Sequence, residues 1–106
     1  MSQTEDKIIE EILKYVAEKR GPLSSWYVGI SKDPQKSLFK EHNVPKDKTP
    51  WLYRFAFDHI EAERIQDALL RRGFDGASLN KDINAKGIYV YKKTPGTKEW
   101  LKTIVN

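Results

Sequence analysis

Three stretches of the chain alternate apolar and polar positions with the two-residue period of a β-strand. In the first, Trp26, Val28 and Ile30 share one side, while Tyr27 and Gly29 face the other. The two later stretches are rich in aromatic and β-branched residues, which strands favour. The pattern therefore predicts a three-stranded, largely antiparallel sheet with strands near residues 25–30, 51–57 and 87–93.

Most of the chain outside these strands has apolar residues at the spacing of an α-helix. Residues 4–19 predict an amphipathic helix. A second helix can be capped by either Ser31 or Asp33, with Pro34 near its first position. Asp58 is a capping residue for a third helix, and Thr97 can cap a short last one. Residues 73–86, rich in Gly, Asn and Asp, favour a loop. The order of elements predicts a small α/β protein of the α+β type, with helices flanking the sheet in a single domain, 1–106.

Composition narrows the class of protein. The chain has 106 residues, with 19 Lys and Arg against 15 Asp and Glu, so its net charge is +4. This makes an acidic partner such as nucleic acid plausible, although a simply solvated surface explains the same charge. Cysteine is absent, which excludes disulfides and thiolate metal sites. In the first twenty residues acidic side chains interrupt the apolar ones, and no long apolar run is present in the chain. We therefore expect a soluble, cytoplasmic monomer without a signal peptide or membrane contact.

Few kinds of active site are compatible with these residues. Two histidines without cysteine do not make a zinc site, and neither a phosphate-binding glycine loop nor a nucleophilic serine elbow is present. What remains is a cluster of polar residues near the first strand. Tyr27 lies on the face of Gly29, where another group can approach the backbone closely. Lys36, Lys40 and His42 follow on the next helix.

The strand at residues 51–57 carries four aromatic residues on one side, which predicts that this side is core. They are Trp51, Tyr53, Phe55 and Phe57. Arg54 lies on the opposite side. It is either half-exposed against a helix or directed at a functional site.

The sequence Tyr27-Val28-Gly29, a polar turn with Asp33, and a helix ending in His42-Asn43 resemble the second half of the GIY-YIG nuclease module. The resemblance covers about residues 26–72. In that family a tyrosine and a divalent metal, held by a helix glutamate, prepare attack on a phosphodiester. The resemblance implies that Tyr27 and His42 are catalytic and that the cofactor is Mg²⁺ or Mn²⁺ if the chain is an active nuclease, with no cofactor otherwise. Tyr89, in a Gly-Ile-Tyr sequence, is either the second tyrosine of the family or a chance match.

Three positions depart from the family pattern. Ser37 stands where the family has an arginine, and His42 falls one residue later than the commonest spacing. Gln66 stands where the metal-binding glutamate is expected, and Glu63, one turn earlier on a nearby face of the helix, is the alternative carboxylate for the metal. An amide supplies no charge to a hard cation, so Gln66→Glu is expected to raise metal affinity.

Three functions follow as alternatives. The chain is a nucleic-acid-binding relative with weak or absent cleavage, an active metal-dependent endonuclease, or a module that binds or inhibits another protein. The first ranks highest because the arginine and the glutamate are both replaced. Its binding surface is predicted to comprise Lys36, Lys40, Arg54, Lys92 and Lys93. The site prediction is that Tyr27, His42 and Gln66 converge on the sheet face opposite Trp26 and Val28.

Overall fold

The computed structural model describes residues 3–76 and 83–99. A 3₁₀ turn precedes the first strand, and the second helix continues into a π-helical turn. The helices are Gln3–Lys19 (α1), Pro34–Lys36 (α2) and His59–Arg71 (α3), and the strands are Trp26–Ser31 (β1), Trp51–Phe55 (β2), Asp75–Gly76 (β3) and Gly87–Lys92 (β4).

The strands form one sheet in the order β2-β4-β1-β3. β4 is antiparallel to both β1 and β2, and β3 is parallel to β1. The predicted α+β fold with a largely antiparallel sheet is confirmed, but the sheet has four strands rather than three. β3 lies within residues 73–86, where a loop was expected, because a strand of two residues is too short to show an alternating pattern.

One face of the sheet packs against α1 and α3. The side chains of Trp26, Val28 and Ile30 point to this face, as their alternation predicts, and meet Ile12 of α1 and Ile65 of α3. All five are at most 6% exposed. Each fully buried side chain of this kind contributes roughly 1.5–3 kcal/mol through removal of apolar surface from water, so this layer is the main core.

The opposite face is aromatic and is covered by α2 and the turn that follows it. Asp33 caps α2 by accepting a hydrogen bond from the backbone N–H of Lys36, at 3.2 Å. The helix then widens into the π-helical turn Ser37–Glu41, closed by a hydrogen bond from His42 N to Ser37 O of 2.9 Å. A π turn contains one residue more than an α turn. His42 follows directly at the end of this turn, with its side chain buried against the sheet.

The position of β2 at the edge of the sheet corrects the expectation about its aromatic residues and decides between the two alternatives for Arg54. Trp51 and Tyr53 are half-buried, but Phe55 is 55% and Phe57 76% exposed, so the prediction of a four-aromatic core is wrong for the last two. α2 and its turn cover only the beginning of this strand. Arg54 is half-exposed against α1, where its Nε donates to Glu11 Oε1 at 2.9 Å.

The helix predicted to begin at Thr97 falls mostly outside the described residues. Within residues 3–76 and 83–99, no helix combines the length and the apolar character needed to cross a membrane.

Candidate functional site

A cluster of aromatic side chains surrounds His42 on the face of the sheet that α2 covers. The centroid of its imidazole ring lies 4.8 Å from the ring of Tyr27, 5.4 Å from Tyr89 and 5.2 Å from Tyr91. Because β4 pairs with β1, the rings of Tyr27 and Tyr89 are stacked at 6.4 Å. The structure thus brings together the three residues proposed as catalytic and adds Tyr91. We call these four residues the tyrosine–histidine cluster.

The hydrogen bonds of His42 define its tautomer. Its Nδ1 lies 2.6 Å from the carbonyl oxygen of Lys98, which can only accept, so Nδ1 carries the proton. Its Nε2 lies 2.8 Å from the hydroxyl of Tyr89 and, unprotonated in the neutral ring, accepts a hydrogen bond from that hydroxyl. The hydroxyl of Tyr91 lies 3.0 Å from Nδ1 and donates to Glu99 Oε2 at 2.6 Å. Every polar atom of the imidazole is therefore satisfied within the protein.

Burial disfavours the charged forms of His42, Tyr89 and Tyr91. Desolvation lowers the pKa of His42, although the Lys98 carbonyl and nearby carboxylates oppose the shift. Burial also raises the pKa of Tyr89 well above its usual 10, and burial with the Glu99 carboxylate raises that of Tyr91. At neutral pH the neutral imidazole of His42 accepts a hydrogen bond from the neutral phenol of Tyr89. His42 is 0% and Tyr27 1% exposed, so a substrate reaches them only if the cover opens.

Gly29 provides the space that this arrangement needs. It faces Tyr89 directly across the β1–β4 pair, and the tyrosine ring lies over its backbone. A Cβ atom at this position would overlap the phenol, with the ring Cε2 only 2.9 Å away. The close approach that the sequence predicts at Gly29 is confirmed, and the approaching group is Tyr89.

Gln66 does not join the cluster. It belongs to α3, which packs on the opposite face of the sheet, and its Nε2 donates to the backbone oxygen of Val28 at 3.5 Å. Glu63 lies on the same helix, half-exposed, with its carboxylate 3.2 Å from His59 Nε2. The prediction that Gln66 converges with Tyr27 and His42 is therefore wrong. Helix spacing shows which residues share a helix face, but it does not tell which face of the sheet that helix covers.

The residues proposed to bind Mg²⁺ or Mn²⁺ do not fit a metal. The amide group of Gln66 donates a hydrogen bond to the chain, and the Glu63 carboxylate is turned to His59. Across the described part of the chain, no three His, Asp or Glu side chains lie close enough to bind one ion.

The five basic residues predicted to bind nucleic acid are dispersed. Arg54 is paired with Glu11, and Lys93 Nζ lies 2.8 Å from Asp75 Oδ2. The register of β4 places Lys92 on the other face of the sheet from Lys93. Lys36 and Lys40 remain together, in a groove that also contains residues the sequence did not indicate.

Two adjoining grooves collect exposed lysines from three parts of the chain. Lys36, Lys40 and Lys46 line one groove with Phe39, and Lys46 also lines the second. We call the five lysines of these grooves the lysine surface: Lys19, Lys36, Lys40, Lys46 and Lys48. The sequence does not show that these lysines form one surface, because they come from α1, from α2 with its turn, and from the loop before β2. The composition of that loop suggests only a solvated connection.

Aromatic rings lie beneath this lysine surface. The ammonium group of Lys46 lies 4.8 Å from the ring centroid of Phe39, which contacts the ring of Trp51 edge to face at 5.0 Å. Lys19 lies similarly over Tyr15, at 5.4 Å. None of the five lysines forms an ion pair with a carboxylate of the described residues. They are therefore available to an external anion.

Comparison of the chain with protein-family models, with curated proteins and with solved structures found no match. The function is therefore argued from the geometry of the molecule itself.

Proposed function

We propose that this protein is a divergent GIY-YIG-like domain that binds nucleic acid through the lysine surface and cleaves it weakly or not at all. The observation that carries the proposal is the group of five exposed lysines, unpaired within the described residues, around the Phe39–Trp51 pair. Cationic groups next to aromatic rings are typical of surfaces that bind the phosphates and bases of nucleic acids.

The charge of the lysine surface sets the expected strength of binding. Five lysines face only two aspartates in the two grooves, so most of the net charge of +4 is concentrated there. Contacts to about 3 to 5 phosphates of a duplex give a slope of log K against log salt of roughly −2.7 to −4.5. Affinity should then fall roughly forty- to five-hundredfold between 50 and 200 mM salt.

The state of the tyrosine–histidine cluster supports binding rather than turnover. A phosphodiester must displace the cover over His42 before it contacts the imidazole or Tyr27, and both are buried. Gln66 and Glu63, the residues that the family resemblance assigns to the metal, do not fit a metal ion. The convergence of Tyr27, His42 and Tyr89 favours a second candidate, an active endonuclease whose cluster opens when substrate binds.

Charge reversal at the lysine surface tests the proposal. Fluorescence anisotropy with labelled oligonucleotides at several salt concentrations should show that Lys46→Glu lowers affinity about tenfold at 50 mM and reduces the salt slope by about 1. Lys7→Glu is the matched control, because Lys7 is exposed and lies about 18 Å along α1 from Lys19. It makes the same charge change and should alter affinity less than twofold.

Three results would contradict the proposal. Equal losses in the two variants would mean that only net charge matters. Absence of binding at 50 mM salt would leave a protein-interaction module as the function. Rapid cleavage with Mg²⁺ or Mn²⁺ by the unmodified protein, abolished by His42→Ala, would establish the endonuclease instead.

A further inference from the structure

A row of aromatic side chains continues from the lysine surface along β2. The rings of Trp51 and Tyr53 are nearly parallel, with centroids 6.2 Å apart and planes inclined by 8°. The ring of Phe55 follows Tyr53 at 5.9 Å in an edge-to-face arrangement. Trp51 contacts Phe39, whose ring lies under Lys46. The row therefore begins where the lysine surface ends, and we call Trp51, Tyr53 and Phe55 the aromatic row.

The aromatic row becomes more exposed with distance from the lysine surface. Trp51 and Tyr53 are half-buried, and Phe55 is 55% exposed. All three point to the sheet face that carries Tyr89 and Tyr91, since β2 pairs with β4 in that register. The row is an open apolar strip on a sheet edge, bordered at one end by unpaired positive charge.

We propose that the aromatic row is a stacking platform for unpaired bases, so that the preferred ligand is single-stranded nucleic acid. This inference rests on the proposed function and specifies its ligand. Phosphates lie along the lysine surface, and successive bases stack on Tyr53 and Phe55. Base faces are available for such stacking only in single strands, because in a duplex each face is covered by the neighbouring base pair.

The backbone edge of β2 is less suited to pairing with a strand of another protein than its aromatic side chains are to stacking with bases. The backbone N–H of Trp51 donates to the hydroxyl of Tyr15 at 3.2 Å. The backbone oxygen of Tyr53 accepts a hydrogen bond from Arg54 Nη1 at 2.8 Å. These side chains occupy backbone groups that an added strand would need, whereas the rings remain accessible from the face. The adjacent positive charge is complementary to a phosphate backbone.

Substitution of Phe55 separates stacking from electrostatic attraction. Phe55→Leu keeps an apolar side chain on an exposed position and removes the aromatic ring, while Phe55→Tyr keeps the ring. Anisotropy should be measured at several salt concentrations with a 12-nucleotide single-stranded DNA, an RNA of the same sequence and a 12-base-pair duplex. Ile60→Ala is the control, because Ile60 is 61% exposed and lies on α3, on the other side of the sheet.

We expect Phe55→Leu to weaken single-strand binding roughly five- to hundredfold, the change that loss of one base stack produces. Duplex binding should change less than twofold, and the salt slope should stay the same, because no charge is altered. Phe55→Tyr should retain single-strand affinity, and Ile60→Ala should change none of the three affinities. Loss with both DNA and RNA identifies a platform that ignores the sugar, and loss with only one identifies which sugar the row accepts.

The outcomes distinguish this inference from the proposed function. If Phe55→Leu leaves single-strand affinity unchanged while Lys46→Glu lowers it, the stacking platform is wrong and the lysine surface stands. If no oligonucleotide binds at 50 mM salt, both are wrong. If sedimentation shows that the protein self-associates and that Phe55→Leu abolishes this, the row is a contact between copies of the chain and the platform is again overturned.

Discussion

The buried imidazole of His42 predicts that the protein loses stability when the pH falls below neutral. In the folded protein its Nδ1–H donates to Lys98 O, and its Nε2 accepts from the hydroxyl of Tyr89. Protonation would place a charge at a position without solvent contact. It would also turn Nε2 into a donor that faces a hydroxyl already oriented as a donor, so the Tyr89 hydroxyl would have to rotate.

The sign and size of the effect follow from the direction of the pKa shift. Burial lowers the pKa of folded His42 below its ordinary value of 6.5. As the pH falls through 6.5, the unfolded chain therefore binds a proton before the folded protein does, and the free energy of unfolding decreases. The loss stops at the folded pKa. One proton gives a maximum slope of about 1.4 kcal/mol per pH unit, so the loss between pH 7.5 and 5.5 is at most about 1.4 kcal/mol.

The tyrosines that contact His42 do not titrate between pH 5.5 and 7.5. Tyr89 and Tyr91 stay protonated throughout, since their pKa values are raised. Glu99 and Glu41 act electrostatically on the imidazole and oppose part of the lowering of its pKa. They therefore reduce the pH range over which stability is lost, but stability still decreases as the pH falls.

Urea unfolding followed by circular dichroism at half-unit steps from pH 5.5 to 7.5 measures the slope. His42→Gln should flatten the dependence, because an amide oxygen can accept from Tyr89 but does not titrate here. His59→Gln removes the only other histidine and should leave the His42 contribution in place. NMR titration of the imidazole C–H signals in the unmodified protein provides a second readout that does not depend on how well His42→Gln folds. A His42 midpoint at or above 6.5, or an unchanged slope in His42→Gln, would refute the reasoning.

Three further substitutions test the remaining contacts. Gly29→Ala should lower the free energy of unfolding by roughly 1–3 kcal/mol, because the added methyl group overlaps the ring of Tyr89. Urea unfolding measures this loss, and an unchanged stability would mean that the ring moves aside freely. Gln66→Glu should destabilise by roughly 1–3 kcal/mol, since it replaces a buried donor to Val28 O by a carboxylate. Calorimetry should show no gain in Mg²⁺ affinity; a clear gain would restore the metal site that the family resemblance implies. Arg54→Ala should cost less than about 1 kcal/mol, as its ion pair is half-exposed, and should leave oligonucleotide affinity within twofold; a larger loss of affinity would return Arg54 to the binding surface.

Local signals were sufficient for most of the secondary structure. Alternation placed three of the four strands to within two residues, because a strand with one buried face must repeat every two positions. Asp58 caps the helix that it was expected to begin, and Asp33, one of two candidates with Ser31, caps α2, since a side-chain acceptor next to the first turn satisfies backbone N–H groups wherever it occurs. Gly29 marked a close approach because only a residue without Cβ leaves that space.

The composition of the functional surfaces depended on contacts between distant parts of the chain. Gln66 and His42 are separated by the sheet because α3 and α2 pack on opposite faces, a choice that neither helix sequence encodes. The lysine surface exists because α1, the turn after α2 and the loop before β2 meet in space. Phe55 is exposed because β2 lies at the edge of the sheet, beyond the cover of α2 and its turn. Periodicity and capping are properties of a few neighbouring residues, so the sequence determined them by itself. Strand order and the face that each helix covers depend on which long-range packing buries the most apolar surface, so only the tertiary structure decided them.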